Sequence, residues 1–462
     1  MSTQGMSSRV SPFVSELLAK DSRPLPPGLQ MTGNHQPEAR PIPYSRYTDP
    51  AFAQLEAEKL WSKTWQYACR TEDLPKVGDR VPYDVGNVLS LIIVRSGENE
   101  FKAFHNACRH RGTRLVNAPG TGKTIRCPFH GWQWHPDGQL AHVPLQFDFD
   151  ISGDSHNLTE VKVEVWENFI FVNPDPAAGP LHDSLGALPE AFSGGRGHSQ
   201  RYTFAHVSKK LRANWKTVME AFLEAYHVVE THSDSMPFTG DANTSYEIYD
   251  RPNGQVSRLI TPSAIPSPHL GDDASVQVAA DGVAAFFGMA MGIAPPAMDT
   301  STGNGRAALA EWRRGLMQQA TGKDFSQHCD SELIDSTQFY LFPNFCPWYG
   351  DGLPIVYQFL PCGDNPDESV FNVRLTAPLP ANGIPPMTAK ITHLDFDDYF
   401  TGNAPEFGPL CHIFDQDLSN LPFVQKGMYA PRPQDARPTL GKYTEQRIQH
   451  FHNVLGEVLG CK

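Results

Sequence analysis

The stretches CRHRG (108–112) and CPFHG (127–131) decide how this chain is read. Each sets one cysteine beside one histidine, as Cys108-x-His110 and Cys127-x-x-His130, and each ends on a glycine, Gly112 or Gly131. Sixteen residues separate His110 from Cys127, in a chain that has only 8 cysteines in 462 residues. Four soft or borderline ligands in two tight pairs mean a metal site. A structural zinc is the plain alternative, but zinc modules group Cys with Cys and His with His. Here both pairs are mixed.

When each iron of a [2Fe-2S] cluster takes two ligands of one kind, Cys108 and Cys127 hold one iron and His110 and His130 the other. Two neutral imidazoles in place of two thiolates remove negative charge, so such a cluster is easier to reduce than an all-Cys one; this is Rieske ligation. Gly112 and Gly131 permit tight turns beside it. GTGKT (120–124) between the pairs imitates a phosphate loop, but that pattern needs a glycine where Asn117 stands, so no nucleotide site is expected.

The rest of the composition bounds the function. A net charge of -13 argues against a nucleic-acid partner, because phosphate binding needs a basic surface. No run reaches the roughly 18 apolar residues that span a bilayer, and MSTQGMSSRVSPF at the N-terminus has no apolar signal core. A cytoplasmic protein with reduced thiols is expected, without membrane or nucleic-acid partner. Cys69, Cys329, Cys346, Cys362, Cys411 and Cys461 show no metal-type spacing and read as buried or incidental.

Residues 1–45 are Pro- and Ser-rich and read as an arm that packs on the later domain. The run from Ser45 to Arg70 reads as a helix capped near Thr48 or Asp49, with Leu55, Leu60 and Trp61 on its apolar side. VLSLIIVRS (88–96) and VKVEVWENFIFVNPD (161–175) are strand-like and bracket the Cys/His pairs, which marks a small β domain over 46–170. From 171 to 462 the texture is mixed. RANWKTVMEAFLEAYHVVETH (212–232) has no Gly or Pro and predicts one helix, later runs such as PIVYQFLP predict strands, and TEQRIQHFHNVLGEVLG predicts a closing helix. The segment 284–298, AAFFGMAMGIAPPAM, reads as core in preference to a pocket lid. The fold class is α+β.

A Rieske cluster passes one electron and does no chemistry on a substrate. EAYHVVETH offers the chemistry. Glu224 and His227 lie three apart on one helix face. His232 lies five beyond His227, about 140° round an ideal helix, so both imidazoles reach one ion only where the helix loosens near Thr231 and Ser233. Two His and one carboxylate with open positions form the facial triad of non-haem Fe(II) oxygen-activating enzymes. HIFDQDLSNLPFVQKG (412–427) offers Asp415 and Asp417 as the carboxylate.

With C-x-H…C-x-x-H, then Asn214-Trp215-Lys216 followed by carboxylate-x-x-H-x-x-x-x-H, then an Asp upstream of a late Gln, the chain resembles the Rieske non-haem iron oxygenases over nearly its whole length. The nearest likeness is to the α (large, catalytic) subunit of aromatic ring-hydroxylating dioxygenases. The resemblance implies a Rieske β domain plus a helix-grip-like catalytic domain with a curved antiparallel sheet. It implies one [2Fe-2S] cluster on Cys108, His110, Cys127 and His130, and one mononuclear Fe(II) on His227, His232 and Asp417, the Asp eight residues before Gln425. It implies that Glu224, where many members carry Asp, joins a Rieske histidine of one subunit to a catalytic histidine of its neighbour. It implies O2 as co-substrate and NAD(P)H electrons delivered through a reductase, with or without a ferredoxin. A homotrimer is expected, with or without a small β subunit.

Trp215 is expected in the core, and Asn214 as an amide behind the metal ligands. The expected activity is hydroxylation of an apolar, aromatic substrate. Two alternatives remain: monooxygenation or demethylation of a quaternary amine, methoxyarene or steroid-like substrate, and a pure electron carrier. Arg109, Arg111, Arg114, Lys123 and Arg126 crowd the cluster loops, either as a solvated face or as a docking patch for an acidic electron donor.

Overall fold

A computed structural model describes residues 13–33, 36–251, 254–301, 305–433 and 436–461. They form two compact units. One comprises Pro50–Ser184 with Pro361–Asn365; the other comprises the described residues of Met1–Asp49, Leu185–Leu360 and Pro366–Lys462. No helix among the described residues is long and apolar enough to cross a membrane.

The smaller unit is built from strands β1 (Gln66–Arg70), β2 (Arg80–Val85), β3 (Leu89–Gly97), β4 (Glu100–His105), β5 (Ile125–Arg126), β6 (Gln133–Trp134), β7 (Leu140–His142), β8 (Glu160–Trp166) and β9 (Phe169–Asn173). They make a six-stranded sheet, ordered β1-β9-β8-β4-β3-β2, and a three-stranded sheet, β5-β6-β7. The strand-like run 161–175 is a hairpin: β8 and β9 pair antiparallel from Trp166↔Phe169. The two residues between them, Glu167 and Asn168, have φ of 51° and 64°. Two positive φ values in a two-residue loop match the right-handed twist of the flanking strands. The predicted helix after Ser45 exists in pieces, Ser45–Thr48, Pro50–Glu56 and a π turn Ala57–Trp61, before the chain extends into β1.

The core of this unit holds Ile92, Val94, Phe104, Leu115, Val116, Ile125, Trp132 and Trp134 together with Cys108 and Cys127. Asn106 ties the loop after the first Cys/His pair to it. Its Oδ1 accepts from the backbone N–H of Leu115 (3.0 Å) and Val116 (2.9 Å), and its Nδ2 donates to the Val116 carbonyl (2.7 Å).

The larger unit carries an eight-stranded sheet of β10 (Arg201–Leu211), β11 (Ser245–Arg251), β12 (Gly254–Thr261), β13 (Ser336–Leu341), β14 (Phe345–Tyr349), β15 (Ile355–Pro361), β16 (Ser369–Pro378) and β17 (Ile391–Leu394). Its order is β11-β12-β13-β14-β15-β16-β10-β17. The pairs β11/β12, β12/β13, β13/β14, β14/β15 and β16/β10 are antiparallel, and the edge pair β10/β17 is parallel. β13–β15 are buried almost throughout, including the polar Thr337, Gln338 and Gln358. The longer helices are Val276–Met291, Gly305–Thr321, Leu410–Met428 and the closing Gln446–Leu459. This is the expected α+β class. The apolar segment 284–298 is helical only to Met291, where Gly292 caps the helix at φ 67°.

Because Asn106 is buried and satisfies two backbone donors, Asn106→Ala is expected to destabilise the chain by about 2–3 kcal/mol. Denaturant unfolding followed by near-ultraviolet circular dichroism measures this, and a loss below about 0.5 kcal/mol would contradict the role given to the loop tie.

Candidate functional site

The two Cys/His loops repeat one local solution. Cys108 N–H donates to the Thr113 carbonyl and Cys127 N–H to the Trp132 carbonyl, both at 2.8 Å. Gly112 N–H returns to the Cys108 carbonyl (2.9 Å), and Gly131 N–H to that of Cys127 (3.1 Å). The glycines adopt φ of 76° and 77°, where a Cβ would be strained. Each cysteine thus lies at the base of a tight turn whose backbone N–H groups point at the sulfur.

The effect on the thiols is unequal. Burial raises Cys108 above its usual value, against N–H groups of His110 and Arg111. Burial also opposes ionisation of Cys127, but N–H groups of Phe129 and His130 outweigh it and hold that thiol below its usual value. The thiols are buried, whereas His110 is half-buried and His130 exposed. The two imidazoles lie with ring centroids 4.7 Å apart, and His110 stacks on Trp132 at 5.1 Å and 5°. Buried thiols and outward imidazoles fit a cluster whose histidine-bound iron faces outwards. Of the basic residues, Arg114 pairs with Asp84 at 2.7 Å, and Arg109, Arg111, Lys123 and Arg126 are exposed.

The second set gathers in the larger unit. His227, His232 and Asp417 each offer a ligand atom, all within 4.8 Å of one another. Asp417 Oδ1 stands 3.0 Å from His232 Nε2 and 3.5 Å from His227 Nε2. Asp415 does not join them. Its carboxylate accepts from the N–H groups of Phe400 (2.7 Å) and Thr401 (2.9 Å) instead.

The expected single helix 212–232 is not formed. It is broken into Trp215–Ala221 and the four-residue Val228–Thr231, with His227 and His232 flanking the second piece. No Gly or Pro causes the break; partners from elsewhere satisfy the unwound backbone. Gln338 Nε2 donates to the Phe222 carbonyl (2.8 Å), Arg447 Nη1 to that of Leu223 (3.1 Å), and Ala225 N–H donates to the Tyr246 hydroxyl (2.9 Å). Glu224 completes it by accepting from the backbone N–H groups two and three residues on, those of Tyr226 and His227. The break removes the 140° obstacle of an ideal helix.

Glu224 Oε1 also takes the Nδ1 side of His227 at 2.6 Å. Burial works against a charged His227, but Glu224 and then Asp417 override it and push the imidazole up to about 9. The site therefore favours positive charge, as a cation site should. On the other ring, Gln416 Oε1 lies 2.8 Å from His232 Nδ1, which leaves Nε2 towards Asp417. Gln416 was not among the expected site residues. Its neighbouring position to Asp417 is the only sequence signal, and its partner is 184 residues away.

Asn214 serves differently from the expectation. It caps the Trp215–Ala221 helix by accepting from Lys216 N–H (3.0 Å), and its Nδ2 donates to the Tyr47 and Pro366 carbonyls. Trp215 is buried edge-on against Phe451.

The triad opens on a cavity of ≈ 200 Å³. Phe222, Phe238, Trp348, Tyr357 and Phe414 form much of its wall. Val283, Phe286 and Phe287 also line it, so the 284–298 segment contributes pocket wall as well as core.

Comparison with known proteins accords with this geometry. Residues 64–151 match the Rieske [2Fe-2S] domain, and residues 196–460 match the ring hydroxylating alpha subunit (catalytic domain). The chain belongs to that ring-hydroxylating α-subunit family. It is 31% identical over 212 residues to the carnitine monooxygenase oxygenase subunit of Escherichia coli K12, covering 43% of this chain and 54% of that one. It is 33% identical over 205 residues to the anthranilate 1,2-dioxygenase large subunit of Acinetobacter baylyi, covering 40% and 41%. The chain thus spans about half the length of the curated relatives it matches. Two solved structures share the fold: a quaternary ammonium Rieske monooxygenase with L-carnitine and naphthalene 1,2-dioxygenase with indole. Their TM-scores are both 0.61, with 17% and 18% identity, over 91% and 94% of this chain and 96% and 95% of theirs.

Asp417→Ala should abolish mononuclear iron binding while the cluster's visible absorbance persists. Gln416→Leu, which frees the His232 ring to turn, should weaken iron affinity about tenfold. Iron titration of the metal-depleted chain reads both; unchanged affinity in Gln416→Leu would remove its orienting role.

Proposed function

We propose that this chain is the terminal oxygenase component of a Rieske-type system that hydroxylates an apolar, aromatic substrate with O2 and electrons originating from NAD(P)H. The supporting observation is the triad of His227, His232 and Asp417 opening on an aromatic-lined cavity, in a chain that also carries a Rieske domain. The donor sets fit both groups: two thiols and two imidazoles for the cluster, two imidazoles and one carboxylate for ferrous iron. When bound, those groups supply reductive activation of O2 at a ferrous centre fed one electron at a time. Three protein ligands leave positions open on such a centre.

The residues' own work is positional. Glu224 and Gln416 hold the two imidazoles by Nδ1, so both Nε2 atoms face Asp417. The aromatic wall excludes bulk water and aims one carbon of the substrate at the triad. In a homotrimer, the second acceptor site of Glu224 Oε1 would take a Rieske histidine of the next subunit. The exposed Arg109, Arg111, Lys123 and Arg126 suit an acidic reductase or ferredoxin.

A second reading is monooxygenation, including demethylation of a quaternary amine or methoxyarene. The carnitine and glycine betaine monooxygenase subunits among the relatives favour it. Mass spectra of products made under labelled O2 separate the two, since a dihydroxylated ring carries two labelled atoms, a hydroxylated product one, and a demethylated product none, its label leaving in formaldehyde.

Metal analysis should find three irons per chain; two would favour a pure electron carrier. Glu224→Gln should keep all three but slow oxidation of the reduced cluster by O2 and substrate at least tenfold. Stopped-flow absorbance tests this, and wild-type kinetics would exclude the coupling role.

A further inference from the structure

The two imidazoles of the triad are held by unlike groups. Glu224 Oε1 faces His227 Nδ1 at 2.6 Å. A carboxylate only accepts, so Nδ1 of that ring carries a proton and Nε2 is the nitrogen left for a metal. His232 Nδ1 faces an amide instead, Gln416 Oε1 at 2.8 Å. An amide has a donor end and an acceptor end of nearly the same shape, so it does not choose a tautomer by itself. Turned round, its NH2 group would donate to Nδ1 and place the ring proton on Nε2, the atom 3.0 Å from Asp417 Oδ1. A protonated Nε2 has no lone pair for a metal.

Asp234 removes that choice. Its Oδ1 accepts from Gln416 Nε2 at 3.3 Å, and its Oδ2 lies 3.1 Å from His412 Nε2. It stands on the turn Ser233–Ser235 that leaves His232, closed by Ser235 N–H donating to the His232 carbonyl at 2.8 Å. On the facing helix, Leu410–Met428, residues His412, Gln416 and Asn420 follow at intervals of four and so share one side. Each of them bonds to the segment 231–234, Asn420 Nδ2 donating to Thr231 Oγ1 at 3.3 Å. Asp234 and His412 are exposed, so their bonds contribute little to stability by themselves. What the carboxylate supplies is direction. It has no hydrogen to offer, so the NH2 end of Gln416 turns towards it and the carbonyl end towards His232.

We propose that Asp234 is a positioning residue for the triad: its carboxylate sets the direction of the Gln416 amide, and the amide sets which nitrogen of His232 is free to bind iron. This rests on the reading of His227, His232 and Asp417 as a ferrous site.

A mutant cycle read by iron affinity tests it. Dissociation constants for Fe(II) at the mononuclear site are measured by chelator competition under nitrogen, on the full chain with its cluster in place and checked by visible absorbance. Asp234→Asn, which can donate as well as accept, should weaken Fe(II) binding about three- to tenfold, the range of one net hydrogen bond. In Gln416→Leu there is no amide to direct, and in Gln416→Glu the ring faces a carboxylate outright. Adding Asp234→Asn to either should therefore change the affinity by less than about twofold. An equal loss in all three backgrounds would make Asp234 a brace or a plain charge, and overturns the inference. So does an unchanged affinity in Asp234→Asn alone. A wild-type chain that takes up no mononuclear iron is a different failure, since it removes the ferrous-site reading and the inference with it.

Discussion

Gln425 anchors the geometry of the larger unit. Its Oε1 accepts from the Asn214 N–H and the Thr217 hydroxyl, both at 3.0 Å, and its Nε2 reaches Asp367 Oδ1 at 2.6 Å. These bonds dock the Leu410–Met428 helix against the start of the Trp215–Ala221 helix. Gln425, Asn214 and Thr217 are buried and Asp367 is half-buried, and a buried amide with both ends used fixes position more firmly than apolar packing does. Asp417 lies eight residues earlier on the same helix, roughly 12 Å along its axis. The clamp therefore sets the depth at which the carboxylate meets the two imidazoles. Asn214 takes part as helix cap and clamp together, which is why its side chain is unavailable to His227, His232 and Asp417.

The two candidate metal centres are built by opposite means. The Cys/His loops are local: each is a five-residue turn closed by its own backbone bonds and a left-handed glycine, repeated with nearly identical φ. Such a turn needs little from the rest of the fold beyond a core to rest on. The triad is assembled across 190 residues, and it depends on a helix being interrupted where its own sequence favours continuation. Gln338, Arg447 and Tyr246 compensate the lost helical bonds from other elements. Backbone groups buried without such partners would cost more than the helix gains.

The cavity shows the same economy in charge. Its two carboxylates are tied to imidazoles, and the rest of the wall is aliphatic, aromatic or neutral polar.

Several features were legible in the residues alone. Mixed Cys/His pairs at these spacings name their chemistry because ligand type and turn length are local properties. The α+β class followed from β-branched runs beside helical ones, and the closing helix from its uninterrupted pattern. Three things lay outside local reach. The carboxylate choice between Asp415 and Asp417 turns on which face of one helix meets the imidazoles and which meets the backbone at Phe400. The break after Ala221 is made by distant side chains. The orienting amide of Gln416 has no spacing rule, since its partner belongs to another segment. Local sequence determines turns, ligand types and periodicity; which distant groups converge is decided by packing, because only in the folded chain do buried polar atoms choose their partners.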